Sequence, residues 1–276
     1  MGMTQWWQRA TGRGRAEGSP VARPAATRRE DPPVTWPTER PGARPEIDPD
    51  LPVLGVDGCR AGWVGAVLDP GGHGTPQLIV AATLAEVVRQ AGPVAVTAID
   101  IPIGLPDDTR READVQTRRF VGGAKASSVF TTPVRAALYA GSYSEANTIN
   151  RDRLGAGLSQ QAYGLRRSIQ DVDAWLRQDL PCVVVEAHPE ASFAMMTGAA
   201  LISRKRSGEG VQERRDALSS VGIALPSATL QGVGRDDTVD ACAVAWTAHR
   251  VKTGHSRTFP DEPEVFSDGI PAAIHV

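Results

Sequence analysis

The sequence predicts an α/β fold: a mixed five-stranded sheet, an antiparallel three-strand meander followed by parallel strands, with helices flanking it. Three observations predict this class. From Leu51 onward short aliphatic runs are separated by tight glycine-rich turns, which is how a meander reads. Beyond residue 83, apolar runs alternate with stretches of helical period, the texture of strand–helix units. Three of the five strand runs end in a carboxylate, at the end of the strand where α/β sheets hold ligands.

Each element has its own warrant. Residues 53–57 and 63–68 are apolar runs joined through the Gly-Cys-Arg-Ala-Gly turn at 58–62, and GGHG at 71–74 marks the next reversal. A third strand covers 77–82. Thr83 then has the character of an N-cap, with Glu86 at capping-box spacing, and a helix follows to residue 90. Residues 94–100 form a wholly apolar strand, suited to the buried middle of a sheet, that ends in Asp100. Residues 106–180 read as a largely helical insertion. Its last helix, about 158–177, sets Leu165, Ile169, Val172, Trp175 and Leu176 on one face, and Pro181 stops it. Residues 182–186 are the fifth strand, ending in Glu186. A short helix near 191–196, a polar stretch with RKRSGEG at 204–210, a helix at 213–221 and a closing helix at 236–252 complete the chain.

Composition bounds the rest. Residues 1–50 are rich in Arg, Pro, Gly and Thr with few aliphatics, and read as a disordered arm ahead of a single domain at 51–276. A formal net charge of −2 gives no reason to expect nonspecific nucleic-acid binding, so any such contact must come from local basic patches, as at 110–135 and 204–215. Cys59, Cys182 and Cys242 are widely spaced, form no metal-binding pair and imply no disulfide framework, which fits free thiols in a reducing cytoplasm. No apolar stretch approaches membrane-spanning length, and the N-terminal residues lack the apolar core expected of a secretory signal.

The acids carry the chemistry. Asp57, Asp100 and Glu186 end strands, and the closing helix opens RDDTVDACAVAW, where Asp237 and Asp240 lie one helical turn apart. The face through Asp240 continues to Val244, so these carboxylates turn toward the sheet. Two carboxylates about 5 Å apart at an effective dielectric near 20 repel by about 3 kcal/mol. Several together therefore call for a cation, and oxygen-only ligands select Mg²⁺ or Mn²⁺. Taken singly, each acid also has a bland role: Asp57 as a turn former before Gly58, Asp100 as a loop cap in IDIPIG, Asp237 as a helix cap. Recurrence at one end of four elements favours a shared site.

This pattern resembles the ribonuclease H-like fold. More closely, GVDGCRAGWVGA (55–66), IDIPIGLP (99–106), READVQTRRFVGGAKASSVFTTPVR (111–135), GLSQQAYGL (157–165), VVEAHPEASF (184–193) and GRDDTVDACAVAW (234–246) resemble, in this order, the family known as domain of unknown function 429. DGIPAAIHV at the C-terminus is similar to that family's closing strand. The resemblance implies a predicted nuclease of ribonuclease H-like fold whose metal ligands are Asp57, Asp100, Glu186, and Asp237 or Asp240. It also implies nucleic acid, RNA or DNA, as the substrate. Candidate substrate contacts are Arg60 in the first turn, Lys125, Ser127, Ser128 and Arg135 in and after GGAKASS, Gln161, and His188, which is placed to relay a proton.

The expected function is a divalent-metal-dependent phosphodiester hydrolase. An actin-like or sugar-kinase-like phosphotransferase shares the fold core, but it needs a second phosphate loop and a longer chain. A non-catalytic binding module with a metal-stabilised acidic core is the third alternative. A Ser-His-Asp hydrolase lacks its G-x-S-x-G elbow.

Overall fold

The computed structural model describes residues 45–227 and 230–276; for residues 1–44 the expectation of a disordered arm lies outside the described residues. Strands β1 (Val53–Cys59), β2 (Gly62–Leu68) and β3 (Gln77–Ala81) form the meander. The strands β4 (Val96–Ile99), β5 (Val183–Ala187), β6 (Thr258–Val265) and β7 (Pro271–His275) extend the same sheet in the order β3-β2-β1-β4-β5-β7-β6. β1, β4, β5 and β7 run parallel; β2 pairs antiparallel with β1, β3 with β2, and β6 with β7.

The sheet thus has seven strands, not the five expected. The two extra strands close the chain, and their pattern hides them. β6 reads TFPDEPEV, with two prolines and three acids, a composition tolerated only at a sheet edge where unpaired backbone faces outward. It occupies that edge beside β7, whose register shifts between Phe259 and Glu264.

Two apolar layers sandwich the sheet. On one face Val53, Val96, Ala98, Val183 and Val185 meet α9 (Arg235–Lys252), α8 (Gly208–Ser220) and α7 (Pro189–Thr197). On the other, Leu54, Val56, Ile99 and Val184 meet α1 (Leu84–Ala91) and α6 (Arg166–Trp175). α9 lies directly on β1. A Cβ at Gly55 would sit 2.2 Å from both the Ala241 carbonyl oxygen and the Ala245 nitrogen, so the absence of a side chain there, facing two alanines, lets helix backbone touch strand backbone.

Between β4 and β5 the chain is helical: α2 (Glu112–Val121), a 3₁₀ turn at Gly123–Ser128, α3 (Arg135–Leu138), α4 (Tyr143–Leu154), α5 (Gln160–Gly164) and α6. The single helix expected over 158–177 is two, broken at Leu165 just after Gly164, the poorest helix former in the run. Ile169, Val172 and Trp175 are buried as the amphipathic period requires. Among the described residues no helix is long and apolar enough to cross a membrane.

Candidate metal centre

Strand register builds the centre. In the parallel β1–β4 pair Val56 lies beside Ile99, and the Asp100 amide donates to the Val56 carbonyl at 3.0 Å, so Asp57 and Asp100 follow side by side. Asp57 lies two residues after Gly55 and Asp100 two after Ala98, both of which face α9, so both carboxylates point toward that helix. The close approach at Gly55 sets α9 directly on β1, and Asp240, one residue before Ala241, comes down onto them. One carboxylate oxygen each from Asp57, Asp100 and Asp240 lies within 4.8 Å of the others.

Asp57 and Asp240 are buried and Asp100 is half-buried. Burial, then the charges of Asp100 and Asp240, hold the Asp57 pKa well above the carboxylate range. Burial pushes both Asp100 and Asp240 up to about 7, against the opposing pull of the Lys205 ammonium. Although some of Asp100 is exposed at the pocket wall, its carboxylate is enclosed by chain, and that enclosure governs its titration. Lys205, on the segment between α7 and α8, donates to Asp240 Oδ2. The Ser203 carbonyl in this segment accepts from Lys125 Nζ at 2.6 Å, and Glu213 accepts from the Ile202 and Ser203 amides at 3.0 and 3.1 Å.

The carboxylates line a cavity of about 540 Å³, open to solvent, together with Arg60, Ser128, Gln161, Ser168, His188, Glu190, Lys205 and Asp237. Of the expected substrate contacts, Arg60, Ser128, Gln161 and His188 therefore border the same space. His188 Nε2 lies 3.4 Å from the Ser128 carbonyl. Burial lowers the His188 pKa, so the ring is neutral at pH 7. Lys125 lies outside this lining, holding Ser203, and Ser127 lies in the 3₁₀ turn. Arg135 is turned into the interior against Asp268.

Asp237 borders the cavity, but its Oδ2 accepts from the Gly234 amide at 2.8 Å and caps α9. Asp236 pairs with Arg206 at 3.1 Å. Glu186 lies elsewhere. β5 pairs with β4 so that Glu186 sits beside Ile99, one residue before Asp100, and a one-residue offset puts a side chain on the other face of a sheet. There its Oε2 accepts from Arg111 Nη2 and from the Ile103 amide, both at 2.7 Å. Arg111 also donates to the Ile103 carbonyl and sits 3.4 Å from Asp114, whose carboxylate takes the Thr132 amide and hydroxyl. Glu186 thus clamps the loop that leaves Asp100.

Two residues that the acid pattern does not announce matter here. Lys205 was visible only as part of a basic run in a polar segment. Glu190, whose charge acts on Asp100 and Asp240, is held by Arg214.

The three converging donors are all carboxylate oxygens, with no thiolate among them, which suits a hard divalent cation such as Mg²⁺ or Mn²⁺. Residues 55–265 match the family described as "Protein of unknown function (DUF429)", and the chain belongs to that family. No curated protein and no solved structure matches the chain.

Proposed function

We propose that this family member is a ribonuclease H-like, divalent-metal-dependent phosphodiester hydrolase acting on RNA or DNA. The observation that carries the reading is the convergence of Asp57, Asp100 and Asp240 at the floor of an open cavity. Three such groups repel one another and resist ionisation as they stand, so the arrangement is one that a cation completes.

Asp57, from the central strand, and Asp240, from the helix, would hold Mg²⁺ or Mn²⁺ with Asp100. Such an ion supplies Lewis-acid polarisation of a phosphoryl oxygen and lowers the pKa of bound water. The chain's own residues do the rest. Arg60 at the exposed rim meets the diester anion, and the Ser128 hydroxyl and Gln161 amide offer hydrogen bonds to its sugar-phosphate chain. In the overall reaction a water oxygen bonds to phosphorus, one P–O ester bond breaks, and the water's proton ends on the departing alkoxide. Neutral His188 borders the cavity with Nε2–H donated to the Ser128 carbonyl, while its Nδ1 is buried away from the cavity water.

The test is cleavage of end-labelled single-stranded and duplex RNA, DNA and hybrid with Mg²⁺ or Mn²⁺, with ATP turnover measured in parallel. The reading expects phosphodiester cleavage that Asp57→Asn removes. ATP hydrolysis dependent on Asp57, with no cleavage of nucleic acid, would favour the phosphotransferase alternative instead.

A further inference from the structure

The acids around the cavity are not equally available to cations. Asp57, Asp100 and Asp240 converge, and most of the acids around them are tied to partners of their own. Asp237 caps the Gly234 amide, Asp236 pairs with Arg206, and Glu186 is bonded to Arg111 on the opposite face of the sheet, whereas Glu190 pairs with Arg214 through Oε1 alone and keeps a buried Oε2 without a partner at the cavity. Beside them, where a second cation would sit, comes an ammonium: Lys205 Nζ bonds Asp240 Oδ2 and lines the same cavity.

The charge balance agrees. Three carboxylates and one ammonium carry a net charge of −2, which one divalent ion neutralises. Two divalent ions beside the same lysine would leave these four groups at +2 before any substrate arrived. Lys205 is also built into position. Its segment is pinned two residues upstream, where Lys125 holds the Ser203 carbonyl and Glu213 holds the Ser203 amide.

We propose that the centre takes one divalent cation and that the Lys205 ammonium holds the second cationic position, facing the phosphoryl oxygens of the bound diester. This rests on the metal-centre reading above and assigns Lys205 as a catalytic residue of the same site. A lysine there donates hydrogen bonds as well as charge, and needs no ligand set of its own.

The experiment is a Mn²⁺ titration of the full chain followed by electron paramagnetic resonance, on the wild type, Lys205→Met, Lys205→Arg and Asp57→Asn. The wild type should bind one Mn²⁺ that Asp57→Asn abolishes. Lys205→Met should bind two, with the broadened signal of a coupled pair, and Lys205→Arg should bind one. A wild type that takes two Asp57-dependent ions overturns the proposal, and so does a Lys205→Met variant that still takes only one. Mn²⁺ binding that does not depend on Asp57 overturns the metal-centre reading itself, and this proposal with it. Should Lys205→Met fail to fold, Lys125→Met slackens the segment from outside the cavity. It should admit a second, weaker ion, and unchanged single-ion binding there counts against the proposal.

Discussion

Two acidic clusters sit on opposite faces of the same sheet, within one residue of each other along the strands, and they meet opposite fates. On the α1/α6 face Glu186 and Asp114 are neutralised from within: Arg111, fully buried, spans both and ties them to the Ile101–Pro106 loop backbone. On the α9 face Asp57, Asp100 and Asp240 converge with one partly exposed lysine between them and a cavity above. The first cluster is closed and complete and acts as scaffold. The second is open and short of positive charge, the condition in which acids bind cations. An acid at the end of a strand is therefore a signal of place, and its partners decide whether it is structure or site.

The largest expected effect breaks the closed cluster. Arg111→Met leaves Glu186 and Asp114 buried with no countercharge and should cost about 3–5 kcal/mol in denaturant unfolding. A loss below about 1 kcal/mol would show that the cluster is not clamped by its arginine. Next comes Gly55→Ala, which sets a methyl group 2.2 Å from α9 backbone. Overpacking of this kind should cost about 1–3 kcal/mol, and by pushing α9 off β1 it should weaken Mn²⁺ binding at Asp57 and Asp240 as well. Binding that survives a measured loss of stability would mean the helix contact does not assemble the centre.

The open cluster answers to pH. Asp57 is held above the carboxylate range, and Asp100 and Asp240 titrate near 7 when folded but near 4 when unfolded. The unfolded chain thus releases these protons first. Stability from the protonated acids is fully present below about pH 4 and is lost as pH rises through about 7. The metal-free midpoint should fall between pH 5 and pH 8, and saturating Mn²⁺ should flatten that fall by holding the acids ionised. Glu186, pushed up to about 7 by burial, adds to the same slope but not to its metal dependence. A slope unchanged by Mn²⁺ would assign it to the closed cluster. The smallest effect belongs to the rim: Asp236→Ala removes the pair with the exposed Arg206 side chain and should change stability by under about 1 kcal/mol, with Mn²⁺ binding intact.

Much of this was legible in the residues. The meander, β4, β5 and α9 stand close to where apolar runs and turn residues put them, and Asp57, Asp100 and Asp240 meet because each lies near the end of a strand or the start of a helix whose direction the sequence declares. The side that Glu186 faces was not legible. VVVEA is apolar along its length, as a strand buried on both faces must be, so no alternation marks which residues share a face. Only the register against β4 does. Likewise Asp237 reads the same in sequence whether it meets a cation or caps Gly234. β6 was hidden by its prolines and acids. Gly55 in GVDG and the alanines of DACAVA did carry a signal of close strand–helix approach, but it becomes specific only when the two are seen together.

As a cation site, the convergent acids would be destabilised by their own charge until an ion binds. Thermal unfolding at pH 8 of the wild type and Asp57→Asn, each with and without Mn²⁺, tests it most directly. Without metal, Asp57→Asn should be the more stable, since it deletes a charge that burial and two neighbours oppose. With Mn²⁺ at about 100 times its dissociation constant the wild type should gain about 2.7 kcal/mol, and the variant nothing. An Asp57→Asn protein that is less stable without metal, and that Mn²⁺ stabilises as much as the wild type, would contradict the account.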